Sequence, residues 1–345
     1  MMTFRFDNSV RRLIPAVAFA LLLTVAVFSI PFASTADDRK TASGGPEIES
    51  FFDPRTNVLS PSENRRSPDD VFETLQQSIE AAGEGAKLSD LSAAELSAAT
   101  PLFAQTLSRK SGLEPLQSSW IQWKMELVKI PFGDEELWLL QELPDARRGR
   151  GVYVFRQSPT LPIVLQAPHS GFDQHTGEIV ARLFAEGGFA CAAWNSIGRE
   201  QIDFAHSEGT YFQALTQAVG ESYPEMLVVQ IHGFDERKRE TAAGKKASLI
   251  VSNGTVSPPR WFLQSALVFG REFPDKSVLV YPFDTSELGA TTNSQARVLR
   301  SQGNYSFLHL ECNRSFRKAA RDDSAHRSEL TQCLREFVRT NTVRE

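Results

Sequence analysis

From residue 162 to residue 340, short apolar runs alternate with segments whose apolar residues recur at helical spacing. The apolar runs predict strands at residues 162–166, 189–194, 226–231, 248–252, 277–282 and 305–311. Helices are predicted between and after them, at about 174–186, 208–219, 258–272, 291–300 and 323–340. This alternation is typical of a largely parallel sheet with helices on both faces. The sequence therefore predicts an α/β fold with three layers, α/β/α, around a central, mostly parallel mixed sheet.

The segment of residues 67–158 predicts an addition to this core, made of helices and antiparallel strands. A capped first turn at Ser67 begins a short amphipathic helix, and residues 91–107 predict a second helix or a pair interrupted at Pro101. We expect the strands of the addition to extend one edge of the core sheet, which belongs to residues 159–345. Runs of alternating polarity predict these antiparallel strands at 120–130, 136–143 and 151–155.

The first 36 residues have the pattern of a secretory signal peptide. Arginines at positions 11 and 12 precede an apolar run over residues 13–32, and small residues at 33–36 follow. An uncleaved membrane anchor is the alternative, because about 20 apolar residues are enough to span a bilayer. Residues 37–66 lack apolar periodicity and predict a disordered linker. The sequence thus predicts an exported chain that is periplasmic or secreted, or held at the inner membrane only by an uncleaved signal.

Composition excludes one class of partner and one class of scaffold. The formal net charge is −5 and no basic stripe is interleaved with aromatic residues, so we expect no nucleic-acid partner. Three cysteines are too few for a disulfide-rich scaffold. Cys191 lies in an apolar run and is expected to be a buried, small hydrophobic residue. The sequence leaves undecided whether Cys312 and Cys333 form a disulfide, because an oxidising compartment would permit one.

Two histidines and an aspartate follow the predicted strands of the core. His169 and Asp173 come soon after the strand at 162–166, and His232 directly follows the strand at 226–231. Open α/β sheets place their chemistry at such strand ends. Two imidazole nitrogens and one carboxylate oxygen leave a fourth tetrahedral position for water, which is typical of a hydrolytic zinc ion. The sequence therefore predicts a Zn²⁺ site with the ligands His169, Asp173 and His232.

The acidic residues of this site have alternative interpretations. Asp173 has the position of a cap for the helix that follows it, and Glu178 is the alternate acidic ligand. Glu311 ends an apolar strand, where an unpaired buried charge is costly, so we predict that it is the general base that activates water. The alternative for Glu311 is a structural salt bridge with Arg314 or Arg317.

Further polar residues are candidates for contact with the substrate. Arg199 follows a strand end and is predicted to act in catalysis, by stabilising the anionic carbonyl oxygen, or to bind a substrate carboxylate. Asn293, Gln295 and Arg297 come shortly before the last predicted strand and are predicted to line the substrate groove. The solvated start of a helix explains these three residues equally well.

Two other segments near these residues are charged. Residues 235–240, with Lys245 and Lys246, predict a mobile loop over the site that would attract an acidic substrate. A solvated face is the ordinary alternative for such a charge run. Asp203 is expected to cap the helix that follows it, with a supporting pair with His206 as the alternative.

The order of these motifs resembles the zinc carboxypeptidase superfamily, nearest in motif style to the N-formylglutamate amidohydrolases and poly-γ-glutamate hydrolases. The motifs are His169 with an acid four positions on, Ile-His-Gly at 231–233, and the late strand Phe-Leu-His-Leu-Glu at 307–311. The resemblance covers roughly residues 160–320 and implies a phosphorylase/hydrolase-like fold.

The resemblance also implies roles for individual residues. It implies that His169, an adjacent acid and His232 hold zinc and that Glu311 is the general base. The sequence departs from the carboxypeptidases proper, which have His-x-x-Glu, because Asp173 stands four positions after the histidine. The resemblance therefore does not imply exopeptidase specificity.

These observations predict an exported, zinc-dependent hydrolase that cleaves an amide or peptide bond. The expected substrate is a peptide, an N-acyl amino acid, or a γ-linked or cell-wall peptide. The alternative is a non-catalytic binding protein that retains the carboxypeptidase-like fold, in which Asp173 and Glu311 are structural. The sequence contains no Gly-rich phosphate loop after a strand and no Gly-x-Ser-x-Gly elbow, which argues against a nucleotide-binding enzyme and against a serine hydrolase.

Overall fold

The computed structural model describes residues 66–341, which contain a nine-stranded mixed sheet with helices on both faces. The predicted signal peptide at 1–36 lies outside the described residues, as does the predicted linker at 37–66 except for its last residue. Within the described range, no helix combines the length and the apolarity needed to cross a membrane.

The strands appear in the chain in a different order from their order in the sheet. In chain order they are β1 (Met125–Phe132), β2 (Glu135–Glu142), β3 (Val152–Arg156), β4 (Leu161–Ala167), β5 (Phe189–Trp194), β6 (Leu227–Gly233), β7 (Leu249–Ser252), β8 (Val278–Val280) and β9 (Phe307–Cys312). Across the sheet they follow the order β1-β2-β3-β5-β4-β6-β9-β7-β8. The central strands β5, β4, β6 and β9 are parallel, and the antiparallel strands lie toward the edges.

Helices cover both faces of the sheet. They are α1 (Pro68–Gly83), α2 (Ala93–Ser108), α3 (Leu113–Ile121), α4 (Thr176–Glu186), α5 (Tyr211–Ser222), α6 (Ala242–Lys246), α7 (Arg260–Glu272), α8 (Ser294–Ser301), α9 (Arg314–Asp322) and α10 (Ser324–Asn341). One apolar core packs α1, α4, α7, α9 and α10 against the first face. A second core packs α2, α3, α5 and α8 against the opposite face. The predicted three-layer α/β/α fold is confirmed.

The N-terminal addition joins the same sheet, as expected from the sequence. Strand β3 pairs antiparallel with β5, so β1, β2 and β3 continue the core sheet at one edge. Ser67 is the N-cap residue of helix α1; its side chain accepts from Asp70 N while the Asp70 carboxylate accepts from Ser67 N. This capping box satisfies backbone donors at the start of the helix.

In the predicted addition, residues 91–107 follow the single-helix alternative without the expected interruption, and one strand boundary is wrong. Helix α2 runs through Pro101 without interruption, because buried residues on both sides of the proline, Ala99 and Leu102, hold the helix against the core. Trp120 belongs to helix α3 and not to the first strand. Its indole nitrogen donates to Thr106 Oγ1 at 3.1 Å, which ties α3 to α2.

The charged stretch after β6 differs from expectation, and the cysteines decide a question that the sequence left open. Residues 235–240, predicted as a loop with Lys245 and Lys246, contain a 3-10 helix (Glu236–Lys238), and the two lysines lie in the short helix α6. Cys191 is buried, as expected, and Cys312 and Cys333 are both buried and free, so the structure holds no bond between them.

Candidate metal centre

The carboxyl ends of β4, β6 and β9 bring the candidate ligands and the candidate base to one side of the sheet. His169 lies two residues beyond the end of β4, His232 lies within β6, and Glu311 lies within β9. His232 and Glu311 face each other directly in the pairing of the two strands. All three side chains are buried, and all three border the same cleft.

A tight turn after β4 brings Asp173 back toward His169. The backbone N–H of Asp173 donates to the carbonyl of His169 at 2.8 Å. Asp173 Oδ2 then lies 3.4 Å from His169 Nδ1 and 3.7 Å from His232 Nδ1. The same oxygen accepts from Gly233 N at 3.0 Å, which fixes the carboxylate between the two imidazoles.

The spacing of these three side chains fits a tetrahedral metal ion. Two ligands at Zn–N or Zn–O distances of about 2.0–2.1 Å are separated by roughly 3.3–3.4 Å in a tetrahedron. The measured separations from the Asp173 oxygen, 3.4 and 3.7 Å, need only small adjustments. One ligand atom from each of His169, Asp173 and His232 lies within 4.8 Å of the others. The set can therefore hold a divalent cation.

The acid in this set is Asp173 and not Glu178. Helix α4 has His175 as its N-cap residue, without a side-chain capping bond, so Asp173 does not cap it. Glu178 lies 3.2 Å from His175 Nδ1 and borders a different cleft, beside α1. The structure thus separates Glu178 from both candidate histidine ligands.

Asp203 orients His169. Its Oδ1 lies 2.8 Å from His169 Nε2, and a carboxylate oxygen only accepts, so Nε2 carries a proton and Nδ1 is left facing Asp173. Burial lowers the pKa of His169, but the bonds to Asp173 and Asp203 outweigh it and raise this pKa. Histidines that bind metals commonly have such a carboxylate partner on the other nitrogen.

Sequence reasoning did not identify this role of Asp203. Asp203 was expected to cap the next helix, but the cap of that helix is Thr210, whose side chain accepts from Gln213 N. Burial raises the pKa of Asp203, but the bond from His169 and the charges of His169 and Arg199 outweigh it and lower this pKa. Asp203 is therefore an ionised acceptor for His169.

Arg199 borders the cleft and is held by Asp203. Its Nε and Nη2 lie 2.9 and 2.8 Å from Asp203 Oδ2. Its guanidinium carbon lies 5.6 Å from the centre of the Phe172 ring, and Phe172 is 64% exposed. Arg199 therefore connects the support of His169 with the open part of the cleft.

Glu311 is a buried carboxyl group with little support from its surroundings. Its Oε2 has no hydrogen-bond partner among the described residues, and Oε1 lies 3.6 Å from His309 Nε2. Burial, with a smaller contribution from the charge of Asp173, raises the pKa of Glu311 to about 8. Arg317 instead donates to the carbonyl groups of Gln174, Phe234 and Cys312. The structure thus shows no salt bridge between Glu311 and Arg317.

His309 is a third imidazole at the site that sequence reasoning missed. It precedes Glu311 by two positions on β9, and residues two apart on a strand point to the same face. That spacing was visible in the sequence. Burial lowers the pKa of His309 to about 3, so it is neutral. His309 also forms a second possible metal-binding group, with His232 and Glu311.

The structure does not bring all predicted substrate-binding residues to the cleft. Asn293 borders it, but the side chain is 1% exposed and points into the protein to cap α8. Gln295 is fully buried. Arg297 pairs with the exposed Glu208 at 2.8 Å and borders a separate groove between α2, α5 and α8.

The cleft over the candidate centre is large and rich in basic side chains. It has a volume of about 900 Å³. The charged segment after β6, which was predicted to lie over the site, borders it. The basic side chains around the cleft are Arg199, Arg237, Lys238, Arg239, Arg314 and Arg317. Acids are fewer, and two of them, Asp173 and Glu311, belong to the centre itself. The cleft therefore favours a ligand that carries negative charge.

Comparison with known proteins gives distant structural likenesses. No family model matches the sequence, and no curated protein matches it. An N-formylglutamate amidohydrolase from Ralstonia eutropha is 13% identical, with a TM-score of 0.38, over 55% of this chain and 97% of that one. A bacteriophage poly-γ-glutamate hydrolase is 12% identical, with a TM-score of 0.26, over 53% of this chain and 83% of that one.

A third solved structure is a metallo-carboxypeptidase from Burkholderia cenocepacia. It is 10% identical, with a TM-score of 0.31, over 67% of this chain and 68% of that one.

Proposed function

We propose that this protein is a zinc-dependent hydrolase that cleaves an amide or peptide bond. One observation carries the proposal: a buried, unsupported carboxyl group, Glu311, lies in register beside His232, which forms a ligand set with His169 and Asp173. A structural carboxylate would be expected to have hydrogen-bond partners, because an unpaired buried charge is costly. Glu311 is better explained as a group that exchanges a proton with water.

The roles of the residues follow from their surroundings. His169 and His232 are ligands through Nδ1, and Asp173 through Oδ2. A bound divalent ion would supply Lewis acidity, which lowers the pKa of water and polarises a carbonyl oxygen. Glu311 takes the proton from the attacking water and passes it to the departing amine. A pKa near neutrality suits both transfers, and burial raises the pKa of Glu311 into that range.

The charge of the cleft supports an acidic substrate. Arg199, anchored on Asp203, presents a guanidinium at the edge of the site. A guanidinium group matches the geometry of a carboxylate. We therefore propose a substrate that carries carboxylates: an acidic peptide, an N-acyl amino acid, or a γ-linked or cell-wall peptide. Export by the predicted signal at 1–36 is part of the proposal and would bring the protein to cell-wall peptides.

Metal content and turnover test the proposal together. The purified protein is loaded with zinc and incubated with N-acyl amino acids, γ-glutamyl oligomers and muropeptides, and released amine is quantified. We expect turnover of at least one substrate class, loss with chelator, recovery with zinc, and loss in Glu311→Gln with the metal retained. Zinc binding without any turnover would instead favour the non-catalytic binding protein. Full activity of Glu311→Gln would remove Glu311 from the mechanism.

A further inference from the structure

A row of buried polar side chains crosses the middle of the sheet, two residues before His232 and Glu311 on their strands. On neighbouring strands, Gln166 lies opposite Gln230, and Gln230 lies opposite His309. On the next strand, Ser252 lies opposite His309. None of the four is more than 3% exposed. Gln230 and His309 each precede a residue of the site by two positions, so they share its face of the sheet.

The backbone sets the direction of the hydrogen bonds at one end of this network. Gln295 Nε2 lies 3.0 Å from the carbonyl oxygen of Phe204, and a carbonyl oxygen can only accept. The amide of Gln295 is therefore oriented, and its Oε1 accepts from Gln230 Nε2 at 3.0 Å. Gln230 Nε2 also donates to Gln166 Oε1 at 2.9 Å. Both protons of the Gln230 amide are thus in use.

The other end of the network is set by a helix cap. Asn293 Oδ1 accepts from the backbone N–H of Ala296 at 2.9 Å, and a backbone N–H can only donate. The amide nitrogen of Asn293 therefore faces the other way and donates to Gln230 Oε1 at 2.7 Å. Two backbone groups from separate segments thus impose one and the same orientation on Gln230.

That orientation determines which nitrogen of His232 carries the proton. His232 Nε2 lies 3.1 Å from Gln230 Oε1, which can only accept. A hydrogen bond here needs a proton on Nε2, and a neutral imidazole then has its lone pair on Nδ1. His232 Nδ1 faces Asp173 Oδ2 at 3.7 Å, on the side of the candidate metal position.

We propose that Gln230 is a positioning residue that holds His232 as the Nε2–H tautomer, so that Nδ1 faces the metal position before any ion binds. The inference rests on the proposed function only in taking His232 as a ligand. It deepens the site by adding Asn293 and Gln295 as the groups that orient Gln230. This also explains why two residues predicted to bind substrate point into the protein.

Matched leucine variants test the proposal through metal affinity. Gln230→Leu and Gln166→Leu each remove one fully buried amide from the same network, but only the first removes the acceptor of His232. Removal of such a partner typically weakens metal binding by about 10–100-fold. We expect that loss for Gln230→Leu, measured by competition with a zinc chelator, and little change for Gln166→Leu. Equal affinities of the two variants would overturn the proposal.

A conservative variant separates positioning from packing. Gln230→Glu keeps an oxygen acceptor for His232 while it loses the donors to Gln166 and Gln295. We expect its zinc affinity to stay closer to wild type than that of Gln230→Leu, even where its thermal stability is lower. An affinity that follows thermal stability across the variants would show that the effect is only structural.

The tautomer itself can be measured in the unaltered protein, which avoids any variant that fails to fold. Long-range ¹⁵N–¹H correlation spectra of ¹⁵N-histidine-labelled, metal-free protein should show His232 with a protonated Nε2 and an unprotonated Nδ1. A protonated Nδ1 would overturn the proposal. The expected tautomer without zinc binding would leave the positioning network in place and defeat the proposed function, so the two failures are distinguishable.

Discussion

His232 on β6 and Glu311 on β9 are partners in the register of two parallel strands. Adjacent strands lie about 4.8 Å apart, and both side chains point to the same face. The separation of the candidate ligand from the candidate base is therefore set by backbone hydrogen bonds in the middle of the sheet and does not depend on loops. Such a rigid frame suits a site in which a proton is transferred over a short, constant distance.

Metal content should depend on the two histidines nearest to Asp173. His169→Ala and His232→Ala each remove one of three ligands. A single site holds about one zinc ion per chain, and we expect both variants to lose most of it. His206→Ala is the matched control, because His206 borders the cleft but belongs to neither metal-binding group. Elemental analysis after gel filtration measures the result. Full zinc content in both ligand variants would contradict the assignment.

The acidic ligand can be tested in the same way. Asp173→Ala removes the carboxylate that lies between both imidazoles, whereas Glu178→Ala removes one that lies beside His175 and belongs to neither metal-binding group. We expect zinc affinity to fall by more than about tenfold in the first variant, because loss of an outer partner of a ligand alone already costs about 10–100-fold, and to stay unchanged in the second. Titration with a competing chelator gives both affinities. The reverse ranking would make Glu178 the ligand.

The protonation of Glu311 should be visible in the stability of the metal-free protein. Burial raises its pKa from the ordinary 4.5 to about 8, so between these values the folded state keeps a proton that the unfolded state releases. The free energy of unfolding must then fall as pH rises through this window. The fall is at most about 1.4 kcal/mol for each unit of difference between the pKa values of the folded and unfolded states. Below the window both states hold the proton and the effect vanishes.

Glu311→Gln provides the control for this pH dependence. The amide has nearly the same shape and does not titrate, so the difference in unfolding free energy between variant and wild type should widen from pH 5 to pH 8, by a few kcal/mol. Urea titrations of both proteins at several pH values measure it. A difference that stays constant over this window would mean that Glu311 is already ionised at low pH.

The features of this protein that could be predicted from the sequence are those that depend on local residue patterns. Strand ends can be located because apolar runs stop at polar residues, and this placed His169 and His232 at one edge of the sheet. The pairing of Asp203 with His169 crosses 34 residues, and no local pattern records a contact between two loops. His309 was visible through the period of two along β9 and needed only that the rule be applied.

The rotation of helix α8 about its axis explains why Gln295 and Arg297, which were predicted to bind substrate, lie outside the cleft. The sequence near α8 shows where the helix begins but not which side faces the cleft. Residues two apart on a helix point in nearly opposite directions, so Asn293, Gln295 and Arg297 could not all line one groove. In the structure Gln295 faces the core and Arg297 faces solvent. Only packing against neighbouring elements decides that rotation.

Asp203 should control metal affinity without touching the ion. Asp203→Asn keeps the size of the side chain but removes the charge that holds the proton on His169 Nε2 and that pairs with Arg199. We expect zinc binding to weaken by about 10–100-fold. Arg199→Gln is the comparison, because it breaks the same ion pair and leaves the carboxylate beside His169. Similar affinities for Asp203→Asn and wild type would show that His169 needs no such partner.

Gly233 should tolerate no side chain, because Arg317 packs against it. A Cβ at this position would lie 2.5 Å from Arg317 Nη1 and 2.7 Å from its Cζ. Arg317 is held by carbonyl groups of three segments around the site and cannot move aside freely. We expect Gly233→Ala to lower the free energy of unfolding by about 1–3 kcal/mol, as for overpacking of a core. We also expect it to weaken zinc binding by displacing Asp173 from the Gly233 amide.

Gly270→Ala is the control, since a Cβ there meets nothing within 4 Å. Gly270 lies within helix α7, where alanine in place of glycine raises the free energy of unfolding by about 0.5–1 kcal/mol. Denaturant titrations and zinc competition on both variants test the prediction, and a Gly233→Ala protein as stable as wild type would show that Arg317 can be repositioned without cost.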